Sequence, residues 1–398
     1  MSKAARDLAK FEAAMAEVDG EYCIPHADNE ARHYIDLGPV IGQVRSVWAL
    51  VGKFLFFIPA LFLFILAIQL MKAGAAAVGP TIQGQFPFAN GFSTMGTGWL
   101  GAYLVLSGSP VAATAISLFG SGTLSSLQTF TMLSGSRLGA SFIVLLTGFL
   151  YAMRNPRMRR EPLGIGIQAM TMTAITYLPG MLIGYFILRE GALNWVDWHA
   201  SGKLEAAFTK VYGPFVDFAE AHLPGWALFV VGIGTILLAF SLIDRVLPEM
   251  NSESASRHTA WLKKPWTMFL LGCIVATLTL SVSVALTVLV PLAVKGYVKR
   301  DEALPYIMGA NITTLADTLV VAMLQHTPVA ARIVLAEAIG VTIVSLLILL
   351  FIYGPVKRAV IGLDDWLVSK NIRLAGFVVV LFLIPIALLL SGLIYQPA

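Results

Sequence analysis

Residues 99–119 read WLGAYLVLSGSPVAATAISLF, an uncharged run long enough to cross a bilayer but interrupted by Ser107-Gly108-Ser109-Pro110. A helix in lipid must satisfy its own backbone, and here Pro110 removes one hydrogen-bond donor while Gly108 loosens the preceding turn. Such a break is tolerated where it is buried in protein or lines a water-filled cavity. The stretch therefore predicts two short helices that meet at a polar, functional break.

The whole chain is strongly apolar. It has 398 residues, of which 57% are hydrophobic and 13% charged, and its mean hydropathy is +0.79. These values lie outside the range of soluble globular domains and predict an all-α, multi-pass protein of the plasma or inner membrane, with the lipid bilayer as a partner. The two cysteines, Cys23 and Cys273, suggest neither a disulfide nor a thiolate metal site. We expect no cofactor, no transition metal and no nucleic-acid partner.

Apolar runs of about 20 residues or more mark the candidate membrane segments. They lie near 47–71, 98–119, 127–152, 163–188, 226–247, 266–293, 303–325, 328–353 and 374–395. If the runs near 98–119 and 266–293 enter and leave on one face, the clusters of Lys and Arg all fall in the cytosol, as the positive-inside rule requires. The sequence thus predicts two re-entrant hairpins, a cytosolic N-terminus and an extracytoplasmic C-terminus.

A shift of 174 residues superimposes small and polar residues of the two interrupted runs. The matched pairs are Ser107 with Ser281, Ser109 with Ser283, Gly122 with Gly296, and Gly135 with Gly309. Each half then contains three crossings and one hairpin, and an odd number of crossings inverts the second half relative to the first. The sequence therefore predicts two inverted-topology repeats, each with a re-entrant hairpin and a broken helix, and one additional C-terminal helix.

The expected domain organisation follows from these segments. It comprises a cytosolic leader (1–46), a first transmembrane repeat (47–188), an extracellular loop (189–225), a second, inverted repeat (226–354), a cytosolic linker (355–373) and an additional transmembrane helix (374–398). The additional helix is a place where a homodimer contact would form.

In their order, these parts resemble the sodium-dependent phosphate cotransporters of the type II class and their bacterial relatives. Members carry a QSSS-type motif at each hairpin tip and a GANIGT-type motif in the following broken helix. The corresponding stretches here are 106–109 (LSGS) and 280–283 (LSVS), then 135–140 (GSRLGA) and 309–314 (GANITT). The resemblance covers about residues 57–353 and implies symport of inorganic phosphate or a similar small oxyanion with sodium, by alternating access.

This chain departs from the family pattern at its motifs. Leu106 and Leu280 replace both glutamines, and Arg137 stands where the family has asparagine. Fewer oxygen ligands remain for sodium, so a transporter of the same fold with another substrate, or with proton coupling, is one alternative. A non-transporting receptor or regulatory protein is the other.

An anion near the bilayer midplane needs hydrogen-bond donors, which the N-termini of broken helices and nearby hydroxyl groups supply. The candidate anion-binding residues are Ser107, Gly108, Ser109, Ser136, Arg137, Ser281, Val282, Ser283, Asn311, Thr313 and Thr314. Sodium prefers oxygen ligands, and the candidate cation-binding residues are Ser109, Ser283, Asn311 and Asp317. The alternative role of these serines and threonines is helix packing, with hydroxyls bonded to their own helix.

Arg137, Asp317 and Glu337 are ionisable residues inside predicted spans. Each costs ~2.5–3.5 kcal/mol at a helix centre, so a functional or paired role is expected. Arg137 either binds the oxyanion with its planar fork or serves as a counter-ion to Asp317. Asp317 is also a candidate for the coupling cation or proton. Glu337 is expected to pair with Arg332.

Two other function classes are disfavoured. The six histidines fall in loops or at span ends, so no intramembrane Ser-His dyad is predicted and we do not expect an enzyme. The sequence also lacks the G-x-x-x-x-G-K-[ST] phosphate loop that ATP-driven pumps require. A secondary active transporter is the function that the sequence favours.

Overall fold

The computed structural model describes residues 21–22, 35–36, 59–77, 88–154, 159–199, 202–246, 264–279, 282–294, 298–325 and 327–394. The chain divides into two units, Met1–Pro59 and Ala60–Ala398. In the first unit, strand β1 (Glu21–Tyr22) pairs antiparallel with β2 (Ile35–Asp36). The rest of the predicted leader, and residues 47–58 of the first predicted span, lie outside the described residues.

The remaining described residues are almost entirely helical. In chain order the helices are α1 (Pro59–Ala77), α2 (Gly91–Val105), α3 (Ser109–Gly120), α4 (Ser126–Ala140), α5 (Phe142–Arg154), α6 (Arg160–Arg189), α7 (Gly202–His222), α8 (Gly225–Val246), α9 (Pro265–Thr279), α10 (Val282–Thr287), α11 (Leu289–Val294), α12 (Arg300–Thr313), α13 (Leu315–Met323), α14 (Pro328–Leu347), a π-helical turn (Ile348–Ile352), α15 (Tyr353–Val368) and α16 (Asn371–Ile394).

Within the described part of the chain, six helical stretches are long and apolar enough to cross a membrane. They are Pro59–Ala77, Ser126–Met153, Arg160–Arg189, Arg300–Met323, Pro328–Val368 and Asn371–Ile394. The other apolar runs form shorter helices, including Ser109–Gly120 and Pro265–Thr279. The chain is therefore an all-α protein with the several long apolar helices of a multi-pass membrane protein, as the composition predicts.

The predicted break in the run 99–119 is present. Helix α2 begins at the cap residue Asn90 and ends before Leu106, whose φ of 56° is in the left-handed region. Helix α3 then starts with Ser109 and has Pro110 in its first turn, where a missing N–H costs no helical hydrogen bond. The two helices have 15 and 12 residues, so each is shorter than a membrane span.

Helix boundaries recur at the interval of 174 residues that the sequence suggested. Helix α2 (91–105) corresponds to α9 (265–279), and α4 (126–140) corresponds to α12 (300–313). The backbone approaches recur as well: a Cβ on Gly98 would lie 2.1 Å from the carbonyl oxygen of Met132, and one on Gly272 would lie 2.1 Å from that of Tyr306. In both places only glycine permits the helices to approach so closely.

Helix α6 is central to the packing and crosses α14 at small residues. A Cβ on Gly340 would lie 2.1 Å from the carbonyl oxygen of Gly180. Helix α16 packs one face against α2, where a Cβ on Gly96 would meet the backbone of Leu389 at 2.4 Å. The additional C-terminal helix thus covers part of the helix that leads into the first break.

An ionic cluster links α6, α12 and α15. The guanidinium of Arg300 donates to Asp364 at 2.9 Å and to Asp365 at 3.0 Å, and its Nε lies 3.3 Å from Glu161. The fully buried Asp364 also accepts a hydrogen bond from Gln168 at 2.9 Å. The stretch interpreted as a linker (355–373) is therefore helical up to Val368 and is joined to α6 and α12 by charge pairs.

Candidate functional site

The side of helix α4 that packs against α2 is opposite the side that carries Arg137. Gly135 and Gly139, four residues apart, lie on one side of the helix, where a Cβ would meet the carbonyl oxygens of Met95 and Trp99 at 2.1 and 2.5 Å. Arg137, midway between them in sequence, lies on the opposite side and is 2% exposed. The close contact of α4 with α2 therefore directs Arg137 toward α13.

Helix α12 is arranged in the same way. A Cβ on Gly309 would lie 2.0 Å from the carbonyl oxygen of Phe269 in α9, while Asn311 lies on the opposite side and is buried. Asn311 is 174 residues after Arg137. The pair α2 and α4 and the pair α9 and α12 thus each place one polar side chain in the protein interior. In both pairs this residue lies two positions after a packing glycine.

Arg137 forms a buried ion pair with Asp317 of α13. The Nη2 atom lies 3.2 Å from Asp317 Oδ1 and also donates to the hydroxyl of Thr318, which in turn donates to Asp317 Oδ1 at 2.9 Å. The counter-ion role, one of the two alternatives for Arg137, is therefore present. Arg137 Nε and Nη1 and Asp317 Oδ2 have no hydrogen-bond partner among the described residues. Donors remain on Arg137 for a further acceptor.

Asn311 joins a chain of buried hydrogen bonds with α6. Its Nδ2 donates to Thr173 Oγ1 at 3.1 Å, and its carbonyl oxygen accepts from the hydroxyl of Tyr177 at 2.7 Å. Thr173 also lies 2.6 Å from the hydroxyl of Ser141, which follows the end of α4. Asn311 thus contacts α6, and Arg137 contacts α13. Each of these two polar side chains therefore reaches a helix from the other half of the sequence.

Sequence reasoning missed Thr173, Tyr177 and Thr318. The signal for the first two was a threonine and a tyrosine at i and i+4 in an apolar helix, a spacing that puts both on one face. The signal for Thr318 was its position directly after Asp317, an ionisable residue inside a predicted span. None of these residues belongs to the motifs that carry the family resemblance.

The predicted pairing of Glu337 with Arg332 is wrong. Arg332 donates instead to the carbonyl oxygens of Val196 and Asn194, each at 2.9 Å. A spacing of five residues turns the two side chains about 140° apart around the helix, whereas partners need a spacing of three or four. Glu337 is fully buried, and neither of its carboxylate oxygens has a hydrogen-bond partner among the described residues.

The tip of the first break lies against α4. A Cβ on Gly108 would be 2.7 Å from the carbonyl oxygen of Ser136, one residue before Arg137. Ser109 is buried and Ser107 is half-buried. The hydroxyl of Ser136 donates to the carbonyl of Leu133 at 2.7 Å, which is the helix-bonding role considered for these serines. The structure therefore brings Gly108 against the backbone of Ser136, and the contacts of Arg137 are with Asp317 and Thr318.

The remaining predicted residues are less closely grouped. Thr314 donates to the carbonyl of Asn311 at 3.0 Å, but Thr313 lines a separate cavity of about 210 Å³, whose lining also includes Thr277. Ser281 lies outside the described residues. Val282 and Ser283 open helix α10, and only their backbone is described.

The buried site combines the guanidinium of Arg137, the carboxyl groups of Asp317 and Glu337, and several hydroxyl groups. Within the described residues, no group of three His, Cys, Asp or Glu side chains is placed to hold a metal ion. The donors left on Arg137 suit an oxyanion, and the unpartnered carboxyl oxygens suit a cation or a proton.

No known protein family, no curated protein and no solved structure matches this chain.

Proposed function

We propose that this protein is a secondary active transporter that carries inorganic phosphate or a similar small oxyanion with a cation, by alternating access. The observation that carries the proposal is Arg137: it is 2% exposed, it keeps two nitrogen atoms without a partner among the described residues, and it joins two similarly built sets of helices. A charge so costly in a membrane is retained where it has a function. Oxyanion binding is the function that unused guanidinium donors support best.

The proposed transport mechanism uses two inverted repeats with re-entrant hairpins. Helix α2 has 15 residues and α3 has 12, which correspond to about 22 and 18 Å, less than the ~30 Å hydrocarbon core. The recurrence of helix boundaries and glycine contacts after 174 residues supports a common design for both halves. In this proposal the two repeats rock around the anion, so that the site opens first outward and then to the cytosol.

In this proposal both hairpin tips bind the anion, as the sequence predicts. In the first tip, Gly108 and Ser109 lie at the N-terminus of α3, where free N–H groups and the helix dipole favour an anion. The contact of Gly108 with Ser136 supports a position close to Arg137. The second tip would contribute Ser281, Val282 and Ser283 from the other side, with Asn311, Thr313 and Thr314 from the following helix.

Uptake into proteoliposomes is the direct test. We expect labelled phosphate to enter vesicles that contain the protein faster than protein-free vesicles, and unlabelled phosphate to compete. Separate sodium and pH gradients identify the coupling ion, for which the family resemblance implies sodium. If neither gradient drives uptake of phosphate or sulfate, and no exchange occurs, the receptor alternative replaces the transporter.

The inverted topology predicts that Ser125 and Lys299, which are 174 residues apart and both exposed, face opposite sides of the membrane. Ser125 precedes α4 and Lys299 precedes α12. In a variant without Cys23 and Cys273, we expect Ser125→Cys to react with an impermeant maleimide from outside and Lys299→Cys only from the cytosolic side. Lys210→Cys in α7 marks the outer face. Labelling of both positions from one face would rule out inversion.

The second candidate function is the same transporter with proton coupling in place of sodium coupling, and a specific observation supports it. Glu337 is fully buried, and its two carboxylate oxygens have no partner among the described residues. A sodium ion requires several oxygen ligands, whereas a proton needs only one carboxyl group. The same transporter with proton coupling is therefore the alternative that the geometry supports.

A further inference from the structure

Glu337 is the buried carboxyl group that no described contact explains. It lies on α14, which packs against α4, the helix that carries Arg137. Ser134, also in α4, is buried and donates its hydroxyl to the carbonyl of Phe130 at 3.0 Å. The position is 0% exposed, so water does not solvate the carboxylate in this conformation.

The other ionisable groups around Glu337 come from the helices that pack against α14. Helix α6 contributes Tyr177, which is buried and donates its hydroxyl to the carbonyl of Asn311 at 2.7 Å. Helix α13 contributes Asp317, and α3 contains no ionisable residue. Helix α12 carries its ionisable side chains in its first two turns (300–306). The local charge balance therefore depends on Arg137, Asp317 and Glu337.

The net charge of Arg137, Asp317 and Glu337 is zero only when Glu337 is neutral. The charge of Arg137 is matched by Asp317, which lies 3.2 Å away. An ionised Glu337 would add a second negative charge without a partner, and an unpaired charge in a dry interior is strongly unfavourable. A proton on Glu337 removes that charge and leaves a cluster with no net charge.

We propose that Glu337 carries the coupling proton, so that the transporter moves its anion together with a proton. This inference rests on the proposed function. An anion bound to the free donors of Arg137 brings a negative charge close to Glu337, and it binds more tightly when Glu337 is protonated. By linkage, the bound anion raises the affinity of Glu337 for a proton to the same extent.

The proton step breaks one O–H bond of a hydronium ion, which becomes water, and forms the O–H bond of the Glu337 carboxylic acid; release of the proton is the reverse exchange. On the outer side, the Glu337 carboxylate takes this proton and becomes a carboxylic acid as the anion binds. On the cytosolic side, the anion leaves, the O–H bond breaks, and the proton passes to water. Asp317 stays paired with Arg137 during this exchange and positions the guanidinium.

The test uses Glu337→Gln, which keeps the shape of the side chain and cannot exchange a proton. In proteoliposomes the wild-type protein is expected to accumulate the singly charged form of phosphate up to about tenfold when one pH unit is applied, the limit for a singly charged anion that travels with one proton. Glu337→Gln is expected to lose this accumulation and to keep exchange of labelled for unlabelled phosphate. Glu337→Asp is expected to restore part of it, and the exposed Glu190→Gln is the matched control.

The outcomes separate this inference from the proposed function. Accumulation driven by the pH gradient in Glu337→Gln at the wild-type level would overturn the role of Glu337. So would wild-type uptake that responds to a sodium gradient and not to a pH gradient, while the transporter itself would stand. Absence of both uptake and exchange in the wild-type protein would instead reject the transporter.

Discussion

The Arg137→Met variant is expected to lose about 3–5 kcal/mol of unfolding free energy, because it leaves the buried Asp317 without a counter-charge. Asp317→Leu should cost a similar amount, since it leaves the guanidinium unpaired. The double variant Arg137→Met/Asp317→Leu is expected to recover most of the loss, because apolar side chains replace a buried ion pair at little cost. Chemical unfolding in detergent micelles measures all three.

The double variant also separates folding from anion binding. It is expected to fold and yet to bind no phosphate, measured by equilibrium binding of labelled phosphate to the purified protein. The exposed Arg189→Met at the end of α6 removes the same charge without a buried partner, and it should change stability by less than about 0.5 kcal/mol. Wild-type phosphate affinity in the double variant would show that Arg137 serves only as the counter-ion of Asp317.

The long uncharged runs of the sequence located several of the long helices, because a segment in lipid must be long and uncharged. The run near 163–188 corresponds to α6 at 160–189, and the run near 374–395 corresponds to α16 at 371–394. The run near 328–353 was predicted to end too early. Its helix continues through a π-helical turn to Val368, and polar residues of α15 pair with distant charges, as Lys357 does with Asp301 at 2.6 Å. Hydropathy carries no information on such partners.

The candidate site was only partly accessible from sequence. Pairing of Arg137 with Asp317 was one of the two alternatives that the sequence offered, because two opposite charges inside spans favour each other. Nothing in the sequence showed that Glu337 would remain unpaired, since this depends on which faces of α4, α6 and α14 meet. The contacts of Asn311 with Thr173 and Tyr177 likewise join residues more than 130 positions apart. One sequence does not reveal such tertiary pairs.

The glycine contacts shared by the two sets of helices also have a large expected effect. Gly135→Ala and Gly309→Ala should each lower the unfolding free energy by about 1–3 kcal/mol, although alanine favours helix formation. The new Cβ atoms would lie 2.1 Å from the carbonyl oxygen of Met95 and 2.0 Å from that of Phe269. Backbone atoms cannot rotate away as a flexible side chain does, so the helix pairs must separate.

The matched control is Gly376→Ala in α16, where a Cβ would meet nothing within 4 Å, and it should leave stability unchanged or raise it by up to about 1 kcal/mol. Because the two crossings have the same geometry but belong to different helix pairs, the losses at Gly135 and Gly309 should be equal and should add in the double variant. Thermal unfolding in detergent gives these values. If either variant behaves like Gly376→Ala, that crossing is not held by backbone contact, and the case for a common design of the two halves loses its packing argument.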